Sequence, residues 1–157
     1  MHLTLNLREL ECLTMKESKG DELYFIITDA SGSEPVVRRL PEKSEGWVMK
    51  DGDRRLFDLA IIDQDCPSNA KFVIHLLEND SGSMTDIPLL GGMMKKITDA
   101  VENNQYGEIK VFIREGELSV EPGADTATVD HSVPTERIFH FRGAECRYRG
   151  VFSFTYQ

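Results

Sequence analysis

Both ends of this chain alternate strictly between apolar and polar residues, and that pattern limits the fold more than any other feature. Leu3, Leu5 and Leu7 stand at every second position near the start, with Thr4 and Asn6 between them. Phe152, Phe154 and Tyr156 repeat the pattern at the other end. A period of two turns one set of side chains toward a core and the other toward solvent, as a half-buried β-strand requires. The phase shifts at Arg8-Glu9 and resumes with Leu10 and Cys12, which predicts a bulge or a twist there. Further strand-like runs occupy residues 23–28, 47–49, 56–62, 72–77, 109–114, 118–120, 138–141 and 146–148. The run at 23–28 is apolar on both faces and reads as a central strand, and a short edge strand fits residues 36–37. Asp51-Gly52 predicts a hairpin joining 47–49 to 56–62, and Glu115-Gly116 and the stretch 142–145 predict two more.

One segment breaks the period. Leu90, Met93, Met94, Ile97, Ala100 and Val101 recur at three- and four-residue spacing, which predicts an amphipathic helix over about 89–103. Pro88 lies near its start and Asn103-Asn104 at its end, and its methionines read as core packing. Residues 122–134 are polar and irregular. Short strands joined by turn signals, with one helix, predict a mainly β chain. The expected architecture is a single antiparallel β-sandwich domain spanning residues 1–157.

The 157 residues suffice for one core, and no apolar run reaches the roughly 20 residues a membrane helix needs. The first residues do not read as a signal peptide. Cys12, Cys66 and Cys146 are odd in number and widely spaced, as free thiols in a reducing compartment would be, so a cytoplasmic location is expected. A net charge of -9 argues against non-specific nucleic-acid binding, which neutralises phosphates. The charge is uneven: residues 131–157 hold four arginines against two glutamates. Arg137, Arg142, Arg147 and Arg149 therefore form a candidate partner-binding ribbon for acidic headgroups or an acidic protein. A merely solvated sheet face is the alternative.

Catalytic motifs are missing. The chain has no G-x-S-x-G elbow, no phosphate-cradling glycine loop and no H-E-x-x-H helix. His75 and His140 fall inside strand patterns and read as structural. What remains is acidic. Glu78, Asp80 and Asp86 follow the run at 72–77 with Ser81-Gly82-Ser83 between them, a flexible carboxylate loop of the kind a hard cation such as calcium takes. A solvated turn explains the same composition, because Asp, Ser and Gly favour turns for local reasons. Glu17 and Asp21, in the loop after the first strand, could lie beside that loop. Asp63 and Asp65 precede the strand at 72–77 and should sit at the opposite end of the sandwich.

The arrangement resembles the calcium- and phospholipid-binding β-sandwich of protein kinase C and synaptotagmin, the C-two domain. The matching features are the alternating first strand, the step Gly20-Asp21-Glu22-Leu23-Tyr24-Phe25, and the D-x-D-x5-D spacing met by Glu78, Asp80 and Asp86. Met15 stands near the family's first-loop aspartate, and Glu22 replaces its proline. The resemblance implies a non-catalytic, calcium-dependent module that engages a membrane or a protein. The competing expectation is a small acidic interaction or immunity-type protein without a functional metal site, and a hydrolase with a non-standard site is the third. Exposed apolar tips for membrane docking are sparse, with only Met84 and Ile87 near the acidic loop.

Overall fold

The computed structural model describes residues 1–15, 18–43, 46–78, 105–114, 117–121, 135–142 and 146–157. The helix expected over 89–103 and the stretch 122–134 lie outside them. Among the described residues, ten strands form two antiparallel sheets: β1 (His2–Thr14), β2 (Asp21–Asp29), β3 (Val36–Leu40), β4 (Trp47–Met49), β5 (Arg54–Asp65), β6 (Lys71–Glu78), β7 (Gln105–Arg114), β8 (Glu117–Glu121), β9 (Thr135–Arg142) and β10 (Arg147–Tyr156). One sheet has four strands in the order β5-β1-β10-β9. The other runs β3-β2-β6-β7-β8, with β4 also paired to β2.

The two alternating ends of the chain are neighbours. β1 and β10 pair antiparallel with Leu3 opposite Tyr156, Leu5 opposite Phe154 and Leu7 opposite Phe152. Directly paired residues point to the same side of a sheet, so the two apolar sets reinforce one another and form one wall of the core. Leu23, Phe25, Ile27, Phe72, Ile74 and Leu76 form the facing wall. Phe25 bridges the sheets, its ring 6.3 Å from that of Phe152 and 6.4 Å from that of Phe141, both edge-on. Such edge-to-face pairs add to the stabilisation from area burial alone. The architecture is therefore sandwich-like.

The phase shift at Arg8-Glu9 is a bulge: register slips between Leu7 and Glu9 against both β10 and β5. Two consecutive residues, Arg8 and Glu9, thus fall on the outer side, and Leu10 and Cys12 return to the core. β2 is central, as its two-sided apolar pattern predicts. Leu23, Phe25 and Ile27 face the core, while Tyr24 and Ile26 are buried on the other side, where the Arg39 guanidinium lies 4.5 Å over the Tyr24 ring. β3 extends the edge strand expected at 36–37 to five residues.

One expected hairpin is not a hairpin. The Asp51-Gly52 turn forms, with Asp53 N–H donating to the Lys50 carbonyl and Gly52 at φ 81°. Its flanking strands nevertheless part: β4 pairs with β2 and β5 with β1. The turn's own backbone docks on β1, Gly52 N–H donating to the Cys12 carbonyl and Cys12 N–H to the Asp53 carbonyl. The chain thereby changes sheets at this point. The Asp-Gly signal describes a local bend and carries no information about which strands its arms will join.

The run at 146–148 and the alternating end Phe152, Phe154, Tyr156 read as separate in sequence, but β10 is continuous through Gly150. A Cβ at Gly150 would lie 2.7 Å from the Phe152 ring and 3.1 Å from the Phe141 ring. The absent side chain is what lets two aromatic rings fill the core at that level. β7 pairs antiparallel with β8 and β9 with β10, as the expected hairpins require, and the turns between them lie outside the described residues.

Candidate functional site

The carboxylates singled out by spacing divide between the described and undescribed residues. Glu17, Asp80 and Asp86 lie outside the description. Asp21 and Glu78 lie inside it, and the fold brings them to the same end of the same sheet. Asp21 opens β2 and Glu78 closes β6, and Glu78 stands opposite Leu23 in the ladder. Asp21 is two residues from Leu23, so the two carboxylates occupy diagonal positions on the core face. Both are buried, with Asp21 at 0% and Glu78 at 1% exposure.

Burial of Asp21 requires a donor, and Tyr148 provides one from the other sheet. Its hydroxyl donates to Asp21 Oδ2. Burial, and then the bond to Asp21, push the Tyr148 phenol far above its usual range. Cys12 stands opposite Tyr148 in the β1–β10 ladder. Burial raises its thiol to about 11, partly offset by the Tyr148 hydroxyl, so it is not a thiolate nucleophile near neutral pH. On the rim of this end, Asp51 Oδ1 accepts from the Met15 N–H at 2.6 Å and Asp53 Oδ2 from the Lys50 N–H at 2.8 Å. Among the described residues, no three His, Cys, Asp or Glu side chains are placed to hold a metal ion.

Asp63 and Asp65 occupy the opposite end, as the length of β6 requires. There His2 spans both: Nε2 lies 2.8 Å from Asp63 Oδ1 and Nδ1 2.9 Å from Asp65 Oδ1. Thr4 Oγ1 also donates to Asp63. The bond to Asp63, then that to Asp65, raise the His2 pKa, and the bond from His2 lowers that of Asp63. Of the two strand histidines, His75 is tied to Glu108, with Nε2 3.1 Å from Oε2. Burial holds the His75 pKa down.

The four arginines of the expected ribbon do not share one surface. Arg142 and Arg147 are directly paired, and Arg149 follows two residues on, all on the outer face of the four-stranded sheet. Arg137 pairs with the core residue Phe152 and so belongs to the other side of β9. Arg149 Nη1 lies 3.1 Å from Glu9 Oε1 and 3.7 Å from Glu11 Oε2. Arg54 Nη2 lies 2.6 Å from Glu9 Oε2. Glu9, only 7% exposed, is thus clamped between two guanidiniums, and Arg54 leads in pulling its pKa down. Arg142 and Arg147 have no carboxylate partner among the described residues.

This outer face carries a feature that no single stretch of sequence displays. Glu9 pairs with Leu56 on one side and Val151 on the other, and Val151 pairs with Ile138. One cross-strand row therefore reads Leu56, Glu9, Val151, Ile138. Leu56 is 74% exposed and Ile138 52%. With Phe57, Arg8, Glu136 and Arg149 they line a shallow groove of about 580 Å³. A second depression, of about 590 Å³, shares Arg8 and Glu136 and continues toward Asn6, Ser153 and Thr155. Arg8 bridges one wall by its bond to Asp58 at 2.7 Å. Alternation alone identifies the outward-facing residues of each strand. Which of them become neighbours depends on register, and the bulge at Arg8-Glu9 sets it.

No protein-family model matches this chain, and no curated protein matches it in sequence.

Proposed function

We propose that this chain is a non-catalytic binding module, a C-two-like sandwich that engages a protein partner through the outer face of its four-stranded sheet. The observation that carries this reading is the outward row Leu56, Glu9, Val151, Ile138, in which Leu56 and Ile138 are exposed and Val151 is half-buried. Single exposed apolar residues are ordinary on protein surfaces. Three in one cross-strand row, with the arginine-clamped Glu9 between Leu56 and Val151, line a groove rimmed by charged residues, a layout compatible with an interface of apolar contacts and a polar rim. The three cysteines are free and buried, which fits the reducing cytoplasm.

A photo-reactive residue at position 56 tests the reading in native extract, with the same residue at the exposed Val48 of the other sheet as control. Covalent protein adducts at 56 in excess of those at 48 are expected. Equal yields at both positions overturn it.

A calcium-dependent form of the module is the second reading, favoured by the convergence of Asp21 and Glu78 at the end from which the loop bearing Asp80 and Asp86 departs. Calcium at ~100 times its dissociation constant should add ~2.7 kcal/mol to stability. Asp80→Asn and Asp86→Asn should remove that gain. Thermal unfolding with chelator, calcium and magnesium decides the matter, and an unchanged melting temperature sinks this form.

A further inference from the structure

We propose that the occupant of the outer face of the four-stranded sheet is a second copy of this chain, packed on it as an isologous, face-to-face dimer. The proposal rests on the reading of that face as a docking surface and names its partner.

The argument is the charge layout on either side of the apolar row. Toward the end of the sheet where β9 leads into β10, the outward positions are Arg54, Glu11, Arg149, Arg142 and Arg147. Together with the buried charge of Glu9, that half holds four arginines against two glutamates. Toward the other end, the outward titratable groups are Arg8, His2, Asp58, Asp63, Asp65 and Glu136, one arginine and one histidine against four carboxylates. The face is therefore basic on one half and acidic on the other, with Leu56, Val151 and Ile138 between.

A two-fold axis laid along that row, across the strands, superposes the basic half of one copy on the acidic half of the other. It also sets Leu56, Val151 and Ile138 against their own symmetry mates. Arg54 of one copy then approaches Asp58 and Asp63 of the other along the same strand, and Arg149 approaches Glu136. An isologous interface demands this kind of self-complementarity, in which each contact occurs twice.

The area suits a modest affinity. Four strands ~4.8 Å apart and the length of β9 at ~3.3 Å per residue give about 500 Å² in projection. That is below the about 800 Å² per partner of stable interfaces and in the range of weak, transient ones, so a weak dimer is expected.

Sedimentation velocity on the whole chain at about 100 μM is the test, a concentration at which an interface of this size should be populated. The expected result is a dimer that weakens as salt rises. Ile138→Glu should leave a monomer. An acid-faced variant, Arg54→Glu, and a base-faced variant, Asp58→Lys, should each dimerise less than wild type alone and recover the dimer when mixed. These positions are on the surface, and Trp47 fluorescence verifies that each variant is folded. Wild-type chain that stays monomeric overturns the proposal, as does a dimer indifferent to all three variants. A monomer whose position-56 cross-linker captures a different protein removes the second copy and leaves the docking face standing. A monomer with no excess of adducts at 56 removes both.

Discussion

Removing one oxygen atom from the centre of the molecule tests the account of its acidic end. In Tyr148→Phe the ring keeps its place between its ladder partners Cys12 and Phe141, because Tyr148 is fully buried and phenylalanine fills nearly the same volume. What disappears is the hydroxyl that donates to Asp21 Oδ2. Deleting one partner of a buried hydrogen bond leaves the other with a desolvation cost of ~1–3 kcal/mol uncompensated. A loss of about 2 kcal/mol is expected, which for a chain of this length lowers the melting temperature by roughly 4–8 °C. Urea denaturation measures it directly. The only tryptophan, Trp47, packs edge-on against Phe57 at 5.1 Å and Phe25 at 5.9 Å, so its fluorescence reports on the junction of the two sheets. A double-mutant cycle with Asp21→Asn isolates the pair, and a coupling of at least about 1 kcal/mol is expected for groups in direct contact. A Tyr148→Phe cost below about 0.5 kcal/mol, or strict additivity in the cycle, would refute the claim that this bond holds the buried carboxylate in place.

Three other outcomes are expected. The His2 pKa is raised in the folded chain by Asp63 and Asp65, so its contribution to stability is fully present below the unfolded value and fades as pH rises through the folded one. An NMR titration should place His2 above 6.5, and Asp63→Asn should bring it back down. Gly150→Ala pushes a methyl against two packed rings, with an overpacking cost of ~1–3 kcal/mol; an unchanged denaturation midpoint would show that Phe141 and Phe152 can move aside. Glu9→Gln removes the charge between Arg54 and Arg149. Because the folded pKa of Glu9 is depressed, the wild-type advantage should be present above the unfolded value near 4.5 and vanish as pH falls through the folded one. Paired stability measurements at neutral and acid pH read it out. Arg54 is largely exposed, so the neutral-pH difference should be about 1 kcal/mol or less.

Much of the architecture was legible in particular residues. Leu3, Leu5 and Leu7 declared a strand with one core face, and the broken phase at Arg8-Glu9 declared the bulge. The two-sided run from Leu23 to Thr28 declared a central strand. These succeed because a strand's period of two is local, read within a handful of residues. The Asp51-Gly52 turn shows where locality fails, since the bend formed and its arms joined different sheets. The candidate site divides in the same way. The spacing of Glu78 and the position of Asp21 near a strand start named two residues that the fold does bring together. Their burial, and the donor Tyr148 reaching Asp21 from 127 positions along the chain, left no mark in any local pattern.

The sequence by itself therefore determined which side chains face inward, where the chain bends, and that the molecule is built of antiparallel strands. Tertiary structure alone decided the rest: that β1 lies between β5 and β10, that Leu56, Val151 and Ile138 fall in one row, and that basic and acidic halves lie on either side of it. The physical reason is register. Side-chain alternation is a property of one strand, whereas neighbours across a sheet are set by hydrogen-bonded pairing between segments remote in sequence. A shift of that pairing by a single residue would turn the same outward residues to the other face.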